Sequence, residues 1–578
     1  MPPIIESVSA QSLPPVSRRW IGKRASLDTV KHLADTFDLH PLVARVLVAR
    51  HLSDPQAAQA FLFPDRSQLY DPALLHDAPK AVARIRQAIA QGERILVYGD
   101  YDVDGACATA ILVRTLRMLG ADPEWFVPDR FADGYGLHTA IVRQVAERGI
   151  RLIITVDTGI TGVEAADEAR ACGVDLIVTD HHHLPERLPK ATAIVHPAYP
   201  RALYPFADLC GAGVAFKLAQ LLLGRFPDEL LALAALATVA DQVPLLRENR
   251  VLVHEGLHEL NVHPSVGLAA LAEVAGLSST RIEATHAAFQ LAPRLNALGR
   301  LGDAGRAVRL LLTDDPEEAR RLADEANSQN RFRQQIQERL YQEALAQIAA
   351  HPEWLDRPAL VVSVANAHEG VIGIVAGKLA ERFYKPTLCV TTDGEAAKGS
   401  GRSVTDIHLC DLLAAVQRET GVFTRFGGHA AAAGFSLAAT DIPRLRRAFV
   451  EQVEHAWPED VPRTPYTEVD APLALAELSA NLVRDAQRLA PFGRENPEPV
   501  FFVREARVLD ARTMGGDGKH LRARVQEGSG RSVALVAFGR GQEIDDWSVG
   551  RARPMLVTVS EHRWQDLVQI QLQLVDRR

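Results

Sequence analysis

The chain has 578 residues, of which 47% are apolar, enough for several cores and three or four domains. Its 64 basic and 72 acidic residues leave a net charge of −8, which excludes a uniformly basic surface, so any path for a polyanion has to be local. The five cysteines, Cys107, Cys172, Cys210, Cys389 and Cys410, are scattered without a Cys-x-x-Cys pair, the N-terminus has no leader-like basic and apolar regions, and no apolar run reaches membrane-spanning length. A soluble chain in a reducing cytoplasm, with no membrane partner, is the expectation.

Residues 1–75 contain prolines followed by a helical pattern, and are expected to cover an outer face of the first domain. Residues 76–250 read as a sheet domain. Short apolar strands at 95–97, 152–154 and 176–178 alternate with helix-like segments at 106–119 and 162–172, which predicts βαβ units and a parallel sheet.

Each strand runs into a polar cluster: Gly99-Asp100-Tyr101-Asp102-Val103-Asp104-Gly105, then Val156-Asp157-Thr158-Gly159, then Thr179-Asp180-His181-His182. In an open parallel sheet the ligand crevice lies outside the carboxyl ends of the strands, so the three clusters converge. Asp241, closing the apolar run 230–240, is a fourth candidate. Like charges ~4 Å apart repel by roughly 4 kcal/mol at an effective dielectric near 20, so protons or cations must relieve such a cluster. Carboxylates with imidazole and no thiolate suit Mn²⁺ or Mg²⁺, and two such ions suit phosphoester hydrolysis. Taken singly, the clusters have plainer readings. Asp100-x-Asp102-x-Asp104-Gly105 matches the opening of an EF-hand loop, although its twelfth position is Ile111 and a strand precedes it. His181-His182-His183 also reads as a solvated tract, and Asp157-Thr158-Gly159 as a turn or cap.

Residues 251–350 form a helical connector, ending in a segment from 317 to 350 without Gly or Pro and capped by Asp315-Pro316. As one helix it is ~51 Å long, and its face with Asn327, Asn330, Arg333 and Gln334 suits either a substrate path or helix packing. A second α/β domain spans 351–460, opening with a strand at 359–364. In it, Gly399-Ser400-Gly401-Arg402-Ser403 reads as a solvated turn or a phosphate cradle, and Gly427-Gly428-His429 as a tight turn before an alanine-rich helix. Residues 461–578 show period-two alternation, Leu521, Ala523 and Val525 against Arg522 and Arg524, and Val568, Ile570, Leu572 and Leu574 against glutamines. This predicts a small β-barrel, and from 511 to 578 the charge balance turns basic, with Arg512, Lys519, Arg522, Arg524, Arg531 and Arg540 in the first half of that stretch. Trp547, Trp564 and Phe538 are candidates for base stacking or for its core.

The order Asp-x-Asp-x-Asp-Gly, Val-Asp-x-Gly, Asp-His-His and a later Asp resembles the DHH phosphoesterase superfamily. The segments around Leu298-Gly299-Arg300, Gly370 to Ala376, Gly399 to Ser403 and Gly427 to Gly434 resemble its single-strand-specific exonucleases, from residue 40 to the C-terminus. The resemblance implies a multidomain α/β fold: a parallel-sheet DHH domain, a DHH-associated α/β domain joined to it by the long helix, and a C-terminal OB-fold barrel. It implies Mn²⁺ or Mg²⁺ in a two-metal site held by Asp102, Asp104, Asp157, His181 and Asp241, with Asp157 bridging and Asp100 and His182 assisting catalysis. Ser400 and Arg402, with Arg130, would hold a 5′ phosphate, and Arg300, Gly428 and His429 would line the substrate site. Thr158 stands where Asn is usual.

The implied activity is 5′-to-3′ degradation of single-stranded DNA to 5′ mononucleotides in recombination and repair. The implied partners are single-stranded DNA with a 5′ end, a helicase and a single-strand-binding protein, around a monomer. Two alternatives share the superfamily: a phosphoesterase acting on short oligonucleotides, cyclic dinucleotides or pyrophosphate, and a non-catalytic DNA-binding scaffold.

Overall fold

The computed structural model describes residues 16–129, 134, 136–200, 203–404, 407–516, 518–564 and 567–578, without the side chains of 562–568. The described residues divide into two compact units, one of 16–20 with 328–467 and a larger one of 21–327 with 468–578.

The larger unit contains a five-stranded sheet in the order Glu124–Phe126, Arg94–Tyr98, Ile150–Val156, Asp175–Thr179, Ala193–Val195, with every pair parallel. Strand residues alternate between two cores, as a sheet covered on both faces requires. Ile95, Val97, Leu152 and Ile154 face one helical layer, whereas Leu96, Tyr98, Ile153 and Val178 face the other. The chain leaves Arg94–Tyr98 toward Glu124–Phe126 on one side and returns at Ile150–Val156 on the other. That reversal is a switch point, and its crevice lies at the carboxyl ends, where Asp100 and Asp157 emerge. The helix after the first strand is Val103–Met118, three residues earlier than its hydrophobic pattern suggests. Asp102 is its N-cap, accepting from Gly105 N at 3.1 Å.

The helices Leu27–Phe37, Pro41–Ala49 and Pro55–Leu62 bury Leu33, Val43, Leu47 and Leu62 in one core with Phe501, Val503 and Leu535 of the C-terminal barrel. For the helices within 27–62, this corrects the expectation that residues 1–75 pack on the first domain. An amphipathic stripe shows that a helix is buried but not against what; among the described residues of this region, Leu69, Tyr70 and Leu75 are the ones in the first-sheet core.

The barrel closes through five strands, Phe501–Met514, His520–Gln526, Val533–Ala537, Leu567–Arg577 and Ala552–Trp564, the last pairing back onto the first. Leu521, Ala523, Val525 and Leu572 point into its core. Trp547 is also core, 3% exposed, which removes it as a stacking residue, whereas Phe538 is 52% exposed. The Trp564 side chain lies outside the described residues.

The long helix runs Pro316–Ala350, 35 residues, with Asp315 Oδ1 accepting from Glu317 N at 3.0 Å. Ala319, Leu322, Ala323 and Ala326 join the first-sheet core. On its polar face Asn327 accepts from Arg294 at 3.1 Å, and Arg333 donates to Asn330 and to Gln337 at 2.9 Å.

The smaller unit contains the sheet Phe423–Gly428, Ala432–Ala438, Ala396–Arg402, Thr387–Asp393, Leu360–Ala365, antiparallel except for the last pair. Two local expectations are corrected here. The Gly399-to-Arg402 segment is strand rather than turn, because it pairs on both sides, Ser400 with Gly434 and with Cys389. The residues after His429 form a strand rather than an alanine-rich helix, since hairpin pairing overrides local helix propensity.

Candidate metal centre and active site

Seven polar side chains meet at the switch-point crevice: Asp100, Asp102, Asp104, Asp157, His181, His182 and Asp241. Three come from the loop and first helical turn after Arg94–Tyr98, one from the end of Ile150–Val156 and two from the end of Asp175–Thr179. Asp241 is the C-cap of the helix Asp228–Ala240. Asp157 adopts a left-handed backbone, φ 60°, which Asp tolerates better than most residues.

His181 Nε2 lies 3.1 Å from Asp157 Oδ1, 3.6 Å from Asp104 Oδ2 and 3.8 Å from Asp241 Oδ2. Two ligand groups result, Asp100 with Asp102 and Asp157, and Asp104 with His181 and Asp241, each with its donor atoms within 4.8 Å of one another. A third group, Asp157 with His181 and His182, overlaps both. Asp157 and His181 are therefore the shared members.

The electrostatics fit divalent cations. Burial, reinforced by Asp104, Asp102 and the other carboxylates, pushes Asp157 well above the usual carboxylate range. Burial and the same two neighbours raise Asp241 to about 8, and burial with Asp104 raises Asp102. Burial lowers His181, leaving it neutral and able to ligate. Asp157 Oδ1 and His181 Nε2 are both buried without a hydrogen bond, as donors reserved for a metal are. The neighbouring thiols of Cys107 and Cys210 are pushed up by burial and by Asp104, so the available donors are hard oxygens and imidazole, which suit Mn²⁺ and Mg²⁺.

Supporting groups fix the ligands. Asp104 accepts from Gly211 N at 2.6 Å and Ala212 N at 2.7 Å, the first turn of the helix Gly211–Leu223. A Cβ on Gly211 would stand 2.6 Å from Asp157 Oδ1, so only glycine lets that helix approach. Asp180, fully buried, accepts from Ile160 N at 2.9 Å, His181 N at 2.8 Å and His182 Nδ1 at 2.8 Å. Burial works against its charge, yet the His182 hydrogen bond and charge hold it at about 2. His182, correspondingly, is raised to about 9 by Asp180 against the opposing effect of burial. Asp180 was visible in the Asp-His-His motif but its place as the anchor of His182 was not. Gly211 and Ala212 carried no signal beyond a small-residue helix start.

Arg300 is half-buried on the helix Ala292–Leu301, whose Gly299 abuts the Tyr101 carbonyl, the Cβ position being 2.5 Å from that oxygen. In the smaller unit, Arg402 donates to Ser400 Oγ at 3.2 Å, and a Cβ on Gly373 of the helix Glu369–Phe383 would lie 2.8 Å from Ser400 Oγ. Gly428 and the exposed His429 begin the hairpin turn whose Ala431 carbonyl accepts from Ser403 N at 2.9 Å. Arg130 lies outside the described residues.

The family description "DHH family, N-terminal domain" matches residues 94–238, "DHHA1 domain" 356–455 and "RecJ OB domain" 469–576. The "Single-stranded-DNA-specific exonuclease RecJ" of Bacillus subtilis is 39% identical over 561 residues, covering 96% of this chain and 70% of the relative. The chain belongs to the RecJ family. The Escherichia coli RecJ is 35% identical over 87% of this chain and 89% of its own. A crystal structure of Thermus thermophilus RecJ in complex with Mn²⁺ superposes with a TM-score of 0.82 at 33% identity, covering 97% of this chain and 79% of that one. A second structure of that RecJ holds Mg²⁺. The multidomain α/β class with a C-terminal OB barrel is thus that of the RecJ family.

Proposed function

We propose that this chain is a metal-dependent exonuclease that degrades single-stranded DNA from the 5′ end to 5′ mononucleotides, in DNA recombination and repair. The observation that carries this is the two ligand groups, one with Asp157 and one with His181, joined through the third group that contains both, at the switch-point crevice of a RecJ-family chain. The small-molecule alternative is disfavoured by the OB domain over 469–576, which a pyrophosphate or dinucleotide hydrolase does not need.

Asp102, Asp104, Asp157, His181 and Asp241 would hold Mn²⁺ or Mg²⁺, with Asp157 between the two positions and Asp100 beside it. When bound, the ions supply charge to the phosphoryl oxygens and lower the pKa of the attacking water. Asp180 keeps His182 protonated at neutral pH, so its Nε2–H can donate to a phosphoryl oxygen as negative charge develops there. Neutral His181 keeps its Nε2 lone pair for ligation. Ser400 and Arg402, with Gly428 and His429 of the same unit, would hold the terminal 5′ phosphate, and in the larger unit Arg300 would contact the strand beside the Asp100–Asp104 loop. Phe538 is the barrel's exposed aromatic for stacking on a base.

The further partners are a helicase and a single-strand-binding protein acting on the same DNA, the chain working as a cytoplasmic monomer. No helix among the described residues is long and apolar enough to cross a membrane.

Comparing turnover of a long single strand, the same sequence as duplex, dinucleotides and pyrophosphate tests the substrate class. Preferential digestion of the long single strand is expected; turnover confined to dinucleotides or pyrophosphate would reassign the chain.

A further inference from the structure

A cleft of about 410 Å³ opens beside the metal cluster, with His181, Arg247 and Arg494 among its walls. Arg494 is remote in sequence from every metal-cluster motif and lies on the segment that leads into the barrel. That segment is firmly held. Arg250, 2% exposed, donates to the carbonyls of Phe61 at 2.8 Å, Leu489 at 3.1 Å and Ala490 at 2.7 Å, while its guanidinium stacks 3.8 Å over the Phe61 ring. Asn496, fully buried, donates to the carbonyls of Leu489 and Pro491, both at 2.8 Å, and accepts from Arg50 at 2.7 Å. Between these anchors, the Arg494 carbonyl accepts from Leu245 N at 3.0 Å. Its exposed guanidinium donates to the Gln242 carbonyl at 3.3 Å, next to Asp241.

We propose that Arg494 binds a phosphate of the DNA strand beyond the scissile bond, where the strand leaves the metal cluster for the barrel, an assignment that rests on the exonuclease function above. The phosphodiester is the only anion that recurs along such a substrate, and a guanidinium with one long hydrogen bond keeps donors for it. A strand passing the carboxylate cluster needs cationic partners outside the metals. Arg247 adds charge on the same cleft and is itself fixed by the Tyr70 hydroxyl and the Pro205 carbonyl. Asp208 and Glu495 also line the cleft, so recognition there works through directed hydrogen bonds rather than a broad positive field.

The test compares the wild type, Arg494→Ala and Arg494→Lys on 5′-phosphorylated single-stranded DNA, with native linkages or neutral methylphosphonates after the first scissile bond. Arg494→Ala is expected to raise KM about 10-fold with a much smaller change in kcat, the scale of one charged hydrogen bond. The log–log salt slope of binding should become shallower by about 0.7. The penalty should largely vanish on the methylphosphonate DNA, and Arg494→Lys should recover part of it. Unchanged KM and salt slope would overturn the proposal, as would equal penalties on both DNAs, since Arg494 would then act only through Gln242 and Asp241. Binding of the same DNAs in chelator separates the two levels: if the wild type digests nothing when Mn²⁺ or Mg²⁺ is supplied, the exonuclease assignment fails, while the phosphate contact still stands or falls on the binding difference.

Discussion

His182 Nδ1 donates to Asp180 Oδ1 across 2.8 Å, and Asp180 is completely buried. The pair carries one imidazolium and one carboxylate at neutral pH, with Asp180 at about 2 and His182 at about 9. Replacing the carboxylate by an amide removes what raises His182, so its proton is lost at lower pH. Asp180→Asn should therefore lower kcat by about 10- to 100-fold and move the alkaline limb of the pH–rate profile downward. A pH profile of the variant that keeps the wild-type limb would separate His182 protonation from catalysis.

Asp157, Asp241 and Asp102 are raised above the unfolded carboxylate range by burial and by neighbouring carboxylates, Asp104 first among them. For a raised acid the folded state favours the protonated form, so metal-free protein loses stability as pH climbs from the unfolded value, near 4, through the folded value of about 8 for Asp241. Divalent cations bind the ionised form and reverse that loss. Thermal unfolding in chelator and in Mn²⁺ should give Tm values that diverge steadily across this window. A difference independent of pH would contradict the carboxylate origin of the effect.

Gly211→Ala places a methyl 2.6 Å from Asp157 Oδ1, so the shared ligand must move. Mn²⁺ affinity measured by calorimetry should fall by about 10- to 100-fold. The Tm in chelator should change far less than the affinity does.

Arg402 and Ser400 project from one strand in the i, i+2 relation that puts both on the same face. Arg402→Ala should weaken binding of 5′-phosphorylated DNA by roughly 10-fold or more and leave 5′-hydroxyl DNA nearly unaffected. Competition between the two DNAs reads the ratio directly, and equal losses on both would remove Arg402 from end recognition.

Much of the first domain could be read directly because a doubly covered parallel sheet leaves continuous apolar runs ending in polar loops. Asp100, Asp157 and His181 stood out at such ends, and the structure gathers them with Asp102, Asp104, His182 and Asp241. Other features needed three dimensions. Val103 to Gly105 are helical because Asp102 caps them, whereas the apolar pattern starts later. Gly399 to Arg402 look like a turn by composition, and only pairing on both edges makes them a strand. The stripe containing Leu33 and Val43 announces burial, but its partners in the barrel, Phe501 and Leu535, are more than four hundred residues away. Arg494 belongs to none of the motifs that the sequence offered and lines the cleft only through tertiary folding.

Digestion of single-stranded DNA labelled separately at each end, with Mn²⁺, Mg²⁺ or chelator, by the wild type and Asp157→Asn, tests the metal-dependent exonuclease most directly. Release of labelled mononucleotide first from the 5′ end, by the wild type only and only with metal, is the expected result. Digestion that persists in chelator, survives Asp157→Asn, or starts from the 3′ end would contradict it.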